Sequence, residues 1–222
     1  MGVAILFFAG IATVAAWWLS TQRLASKPWL EEGAADAFPG SEASSAPVAK
    51  IGLGVLLAAL GALFALLISA YLMRMQLGDW QPVPKPTILW VNTGMLMLGS
   101  AALQWVRAVA NRGDLRAVRA GLLAAGIAAI VFVSGQLLAW QQLAASGYFL
   151  TWNPASSFFY LITALHGVHV LGGLVALARS TVRAWRGPRD VEQLRLGIEL
   201  CSLYWDFLLI IWLVLFGLLL LS

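Results

Sequence analysis

Charged residues are scarce in this chain. Of its 222 residues only 11% are Asp, Glu, Lys or Arg, while 61% are hydrophobic. A soluble globular domain has about a quarter charged and about half apolar residues, so the composition excludes that class and predicts an integral membrane protein. Cysteine is also nearly absent. The single residue, Cys201, lies in an apolar segment and is expected to pack as a small hydrophobic group.

Long apolar runs account for most of the sequence. A membrane-spanning helix needs roughly 20 such residues, and six stretches meet this length, at about 1–20, 51–73, 87–107, 120–142, 157–178 and 197–221. The segments between them are short and leave no room for a soluble catalytic domain. We therefore predict an all-α, polytopic bundle of six transmembrane helices. The whole chain, residues 1–222, is one membrane domain, with a first helix at 1–20, a cytoplasmic linker at 21–50 and the bundle at 51–222.

The positive charge is concentrated in alternate loops. Lys and Arg number three in residues 21–50, four in 107–119 and five in 179–195, against two on the other side, Arg74 and Lys85. Loops rich in Lys and Arg stay in the cytoplasm, so both termini are predicted to be periplasmic. The net charge of +4 thus reflects orientation in the membrane, and no nucleic-acid partner is predicted.

Histidine is rare too, and both copies lie inside a predicted span. His166 and His169 stand one turn apart on the same helix face. Glu199 and Asp206 are the only acidic residues within a span. Ionisable side chains in hydrocarbon need partners and are candidate functional sites. We predict a structural polar cluster of these four residues, with Asp206 hydrogen-bonded to a histidine at the same depth.

A metal or haem site is not supported by these residues. Two histidines one turn apart on a single helix cannot ligate opposite faces of a haem, and the chain has no third histidine. Tetrahedral zinc needs four ligands, and beside the two histidines only Asp206 and Cys201 are weak candidates for the other two. We predict no catalytic residue, no metal and no cofactor bound by this chain. A satisfied polar pair and a proton relay remain as alternative interpretations.

The two C-terminal spans carry further residues in a recognisable order. The first has Phe159, Tyr160, Thr163, His166, Gly167, His169, Val170 and Gly173, and the second has Glu199, Tyr204, Trp205, Phe207, Trp212 and Phe216. Both patterns resemble signatures of subunit III of the haem-copper respiratory oxidases. Six residues earlier in the chain also occur in the order that this family has, and they are Tyr71, Arg74, Asn92, Thr93, Gln136 and Trp140. The resemblance covers residues 50–221.

The chain also departs from that family pattern at membrane-buried carboxylates. Leu60, Ala139 and Leu209 stand where the family usually has an acidic residue, and Asp206 stands where it usually has a histidine. Proposals that give those family carboxylates a role in proton entry therefore do not transfer to this chain. The exchange at position 206 suggests a rearranged pair with His166 or His169.

The resemblance implies an accessory subunit of a proton-pumping terminal oxidase, cytochrome c oxidase, in the bacterial inner membrane. The partners would be subunit I and subunit II, which hold the haem and copper. This subunit would not be catalytic alone. It would bind phospholipid, with Arg74, Trp29 and Asn92 as candidate contacts, and would support proton uptake and stability during turnover. The alternatives are a related subunit of a quinol oxidase or nitric oxide reductase, and, from another class, a small transporter or proton channel.

Overall fold

The computed structural model describes residues 45–187 and 191–221, and the regular elements in these ranges are α-helices. The five helices are α1 (Ser45–Arg74), α2 (Ile88–Ala110), α3 (Leu115–Ala145), α4 (Pro154–Arg186) and α5 (Val191–Leu221). The predicted first helix at 1–20 and residues 21–44 of the predicted linker lie outside the described residues. The remaining predicted spans each fall within one of these helices, apart from Thr87 at the start of the third.

Four of the five helices have the length and composition to cross a membrane. They are α1 from Val48 to Arg74 and the whole of α3, α4 and α5. The chain is therefore an all-α, multi-pass membrane protein. Helix α2 is not among the four, although it contains nearly all of the predicted span at 87–107. Its polar residues Thr93, Ser100, Gln104 and Arg107 lower its hydropathy, and each of them has a contact on α5 described below.

Short polar turns connect the long helices. Asp114 caps α3 by accepting hydrogen bonds from the backbone nitrogens of Arg116 and Ala117, at 3.0 and 3.1 Å. Asn153 caps α4 in the same way through Ser156 N at 2.8 Å, with Pro154 in the first turn. Both arrangements satisfy backbone donors that a helix start leaves open. Gly147, in the turn between these helices, has φ of 84°, which a residue with a side chain rarely adopts.

Residues 57–221 belong to one compact unit, and residues 45–56 are the described part of another. Within the larger unit α2 packs on α3, α3 on α4, α4 on α5 and α5 on α2. The four helices thus form a closed ring. Its interior contains the fully buried side chains of Phe132, Trp205 and Trp212. Every helix in the ring therefore has one face on the core and one face on the surroundings.

Small residues bring the helix backbones together at defined points. Gly121, Ala125 and Ala129 on α3 are all buried, and their spacing of four residues places them on one helix face. A methyl group at Gly121 would overlap the side chain of Val106 on α2. Close approach through small residues is the usual basis of packing between membrane helices, and here it holds α2 against α3.

Candidate functional site

His166 lies at the centre of the ring and is fully buried. Its Nε2 is 3.1 Å from the carbonyl oxygen of Leu208 on α5. Because a carbonyl oxygen can only accept, Nε2 carries the proton and donates. The ring lies 5.0 Å from that of Trp212 and 5.7 Å from that of Phe132, measured between centroids. His166 therefore joins α4 to α5 by one hydrogen bond within an aromatic pocket.

His169 is half-buried and bonds within its own helix. Its Nδ1 donates to the carbonyl oxygen of Leu165 at 2.7 Å, and its ring packs edge-on against Phe64 of α1, 5.5 Å away. Its backbone carbonyl accepts a hydrogen bond from Tyr204 Oη at 3.0 Å. His169 and residues near position 206 thus lie at the same level, as the sequence predicted.

Asp206 has partners on α2. Its carboxylate accepts one hydrogen bond from the Ser100 hydroxyl and one from the Gln104 amide. The predicted hydrogen bond to His166 or His169 is therefore wrong. The reason is the direction in which each side chain leaves the axis of α5. Asp206 follows Tyr204 by two residues, which is a rotation of about 200° around a helix with 3.6 residues per turn. Tyr204 faces α4, so Asp206 faces the opposite neighbour.

Glu199 also meets α2. Arg107 Nη2 lies 3.4 Å from Glu199 Oε1, in an ion pair whose side chains are 35% and 26% exposed. On the other side of Asp206, Trp212 Nε1 donates to Thr93 Oγ1 at 2.9 Å.

These pairs form a ladder between α2 and α5. Residues at intervals of seven on α2 meet residues at intervals of six or seven on α5, in opposite order. We call this ladder the polar seam, and it comprises Thr93 with Trp212, Ser100 and Gln104 with Asp206, and Arg107 with Glu199.

The α2 members of the polar seam were not among the site residues predicted from the sequence. A signal was nevertheless present, because Thr93, Ser100 and Arg107 repeat every seven residues within an otherwise apolar helix. A seven-residue interval keeps side chains on one helix face. The α5 acids Glu199 and Asp206 have the same interval. Matching the two intervals in antiparallel order would have predicted the pairing that the structure contains.

A second group of polar side chains lies between α3 and α4. Trp140 Nε1 donates to Thr163 Oγ1 at 3.0 Å, and that hydroxyl donates to the Phe159 carbonyl oxygen at 2.7 Å. Gln136, one turn before Trp140, is 3% exposed, and neither polar atom of its amide has a hydrogen-bond partner among the described residues. These side chains fix the packing of α3 against α4 and leave one buried amide for a further partner.

The three predicted lipid contacts occupy different environments. Arg74, at the end of α1, forms an ion pair with Asp79. Asn92 is 1% exposed and packs against Gly135 of α3, where a Cβ atom would overlap its amide oxygen. A side chain buried in this way is poorly placed to contact lipid. Asn92 instead sets the distance between α2 and α3. Trp29 lies outside the described residues.

The described residues contain no group of three or more His, Cys, Asp or Glu side chains arranged to hold a metal ion. Cys201 is a free, buried thiol. The side chains of the polar seam and Nε2 of His166 are hydrogen-bonded to neighbouring helices, which is the chemistry of helix association. His166 Nδ1 is buried and has no hydrogen-bond partner among the described residues. The arrangement therefore defines a class: a polytopic membrane protein whose helices are held together by buried polar contacts.

Comparison with known proteins identifies the family. Residues 53–221 match the family model for cytochrome c oxidase subunit III. A cytochrome c oxidase subunit 3 of Thermostichus vulcanus is 29% identical over 173 residues, which cover 76% of this chain and 85% of that protein. A probable cytochrome c oxidase subunit 3 of Mycobacterium tuberculosis (strain ATCC 25618 / H37Rv) is 32% identical over 142 residues, covering 63% and 70% of the two chains. A cytochrome c oxidase subunit 3 of Synechocystis is 29% identical over 170 residues, covering 74% and 72%.

The chain belongs to the cytochrome c oxidase subunit III family. The match includes all of α2 to α5 and therefore the whole polar seam. It also includes Leu60, Ala139 and Leu209, where the chain lacks the acidic residues expected from the resemblance.

Proposed function

We propose that this protein is an accessory subunit of a proton-pumping haem-copper oxidase, cytochrome c oxidase, in a bacterial inner membrane. It packs on subunit I, lies in the same complex as subunit II, and leaves redox chemistry to the haem and copper of those chains. The observation that supports this most strongly is the family match over residues 53–221. A quinol oxidase differs from this proposal in its electron donor, and a nitric oxide reductase differs from it in the molecule that the complex reduces.

The internal contacts fit a supporting role. His166 is fully buried and hydrogen-bonded to a backbone carbonyl, and Asp206 is bound by Ser100 and Gln104. A proton relay through the predicted cluster would need these groups to exchange protons with one another or with water. Their partners are instead helix backbone and neutral side chains. This favours a structural subunit over the transporter or proton-channel alternative.

We further propose six transmembrane helices in one membrane domain, with both termini periplasmic. Helix α2 supports this count, because it packs between α3 and α5 and its 23 residues extend about 35 Å at ~1.5 Å per residue. Trp90 and Trp105 are 61% and 49% exposed near its two ends. Exposed Trp at both interfaces is typical of a spanning helix. The sixth helix is the one predicted at residues 1–20.

Phospholipid binding and support of proton uptake during turnover complete the proposal. A groove at one end of the larger unit is lined by Tyr71, Leu89, Phe159 and Phe216, with Lys85 beside them. An apolar groove beside a cation suits an acyl chain and a phosphate group. Arg74 is proposed as a second headgroup contact, reached when a phosphate competes with Asp79.

The test is purification of the affinity-tagged protein from its native membranes in mild detergent. The expected result is equal recovery of a haem-bearing chain with the visible spectrum and copper content of a cytochrome c oxidase. Recovery with a haem chain that lacks copper would assign the complex to a nitric oxide reductase. Recovery of the protein alone and colourless, under conditions that keep other oxidase complexes intact, would overturn the proposal.

A further inference from the structure

Three buried side chains in the ring have polar atoms with no hydrogen-bond partner among the described residues. They are Asn92 on α2, through Nδ2, Gln136 on α3, through both polar atoms of its amide, and His166 on α4, through Nδ1. These residues are 1%, 3% and 0% exposed, so water outside the bundle does not reach them. Buried polar atoms in folded proteins almost always have a partner, which is either another protein group or an ordered water molecule. We therefore expect these atoms to have a partner inside the ring.

Gln136 and His166 lie at the same level of the interface between α3 and α4. Gln136 is one turn from Phe132 and one turn from Trp140, on the same face of α3. The ring of Phe132 is 5.7 Å from that of His166. Trp140 Nε1 is 3.0 Å from Thr163 Oγ1, and Thr163 precedes His166 by three residues on α4. Gln136 thus lies between two contacts with the part of α4 that contains His166.

Asn92 reaches the same region from α2. Its amide packs against α3 at Gly135, one residue before the buried glutamine, and a Cβ atom at Gly135 would overlap it. Trp212 on α5 encloses the region from the remaining side. Its Nε1 donates to Thr93, the neighbour of Asn92, and its ring lies 5.0 Å from that of His166. The three side chains therefore border one region of the ring interior, which all four helices enclose.

The atoms without partners define the chemistry of what can bind between these side chains. Asn92 Nδ2 and Gln136 Nε2 donate hydrogen bonds, whereas Gln136 Oε1 accepts them. His166 Nδ1 also accepts, because the proton of its ring is on Nε2 and is donated to Leu208. A cation would be opposed by the N–H donors, and an anion would be opposed by the acceptors. Water both donates and accepts, and therefore complements the whole set.

We propose that Asn92, Gln136 and His166 form a buried water-binding site, in which ordered water bridges their side chains. Gln136 admits the water by rotation about its own side-chain torsions, so no helix has to move. Buried water of this kind is part of a protein's structure, because it supplies hydrogen bonds that its polar neighbours otherwise lack. Since four helices enclose the site, the water stabilises their packing and provides no proton path across the membrane. The inference does not depend on the proposed function.

Electron microscopy of the purified complex, at a resolution that shows ordered water, tests the site directly. The expected result is a density peak at hydrogen-bond distance, about 2.7–3.2 Å, from the Gln136 amide and from His166 Nδ1 or Asn92 Nδ2. A direct hydrogen bond from the Gln136 amide to either residue, with no peak between the side chains, would overturn the proposal. An acyl chain or an ion in this position would also overturn it.

Substitution of Gln136 gives a second test, because the sign of its effect depends on whether water is present. In a hydrated site, Gln136→Leu displaces the water and leaves Asn92 and His166 without partners, which destabilises the fold. In a dry site, the same substitution removes an unpaired buried amide and stabilises the fold. We expect the midpoint temperature for fluorophore labelling of the buried Cys201 to fall by about 2–4 °C. Gln136→Asn, which keeps an amide and leaves more room for water, should lower the midpoint less.

Gln141→Leu is the matched control, since it makes the same change at an exposed position on α3. Its midpoint is expected to equal that of the unsubstituted protein. A midpoint for Gln136→Leu that equals or exceeds that of the control would contradict a hydrated site. If Gln136→Leu does not fold, the density peak in the unsubstituted complex decides the question. Both measurements apply to this chain whichever chains co-purify with it, so failure of this inference is distinguishable from failure of the proposed function.

Discussion

Contacts between rigid groups hold α4 and α5 together, and the closest of these contacts is at Gly173. A Cβ atom there would lie 2.7 Å from Trp205 Cζ3 and 3.0 Å from Tyr204 Cε1. Both rings are fixed by packing, so Gly173→Ala is expected to lower the free energy of unfolding by about 1–3 kcal/mol. The measurement is labelling of the buried Cys201 by a thiol-reactive fluorophore during heating.

The control for that substitution lies on the same helix. A methyl group added at Gly167 would have no atom of another helix within 4 Å. Gly167→Ala is therefore expected to leave stability unchanged or to raise it slightly through helix propensity. Equal labelling curves for the two variants would contradict the close packing of Gly173.

His166 is expected to stabilise the bundle through its one hydrogen bond. His166→Leu removes the donor to the Leu208 carbonyl oxygen and is expected to destabilise the protein by about 1–3 kcal/mol. His166→Gln keeps an N–H near the position of Nε2 and should lose less. His169→Leu is the comparison, because that ring bonds only to its own helix and should matter least. The same Cys201 labelling measures all three, and equal effects at 166 and 169 would refute this ranking.

At the scale of helices, the sequence predicts where each helix lies along the chain better than it predicts which helices pack against one another. Apolar runs predicted the described helices, because hydrophobic length is a local property. The level of His169 relative to α5 also follows from counting residues along each span. The direction of Asp206 does not, because it depends on which helices adjoin α5 in the ring. The polar seam is therefore the part of the candidate site that required the structure.

The connection between α1 and α2 is expected to respond to acid. The guanidinium of Arg74 donates to the carboxylate of Asp79 and holds the pKa of that exposed carboxyl below its usual value. Because the folded-state pKa is lowered, the ion pair contributes stability above the unfolded value of about 3.9. That contribution is lost as the pH falls through the lowered folded value.

Cleavage of residues 75–87 by an acid-active protease measures this response. The unsubstituted protein is expected to be cleaved somewhat more slowly above about pH 4 than below it, while Asp79→Asn is expected to lose this difference. Gln76→Ala, an exposed change in the same connection, should retain the pH dependence. High salt should weaken the protection, because exposed ion pairs are screened. A pH profile unaffected by Asp79→Asn would show that the pair has no such role.

For the whole molecule, orientation in the membrane is the property that joins fold to function, because the proposed six transmembrane helices require α2 to cross. Gly78, Asn111 and Thr151 are exposed residues in three successive connections. Helix α3 has 31 residues, about 46 Å at ~1.5 Å per residue, which exceeds a hydrocarbon core of about 30 Å.

In a Cys201→Ala background, Gly78→Cys and Thr151→Cys are expected to react with an impermeant maleimide from the periplasmic side. Asn111→Cys is expected to react only after permeabilisation. Reaction of Gly78→Cys and Asn111→Cys from the same side would show that α2 does not cross, and the reverse pattern would invert the proposed orientation.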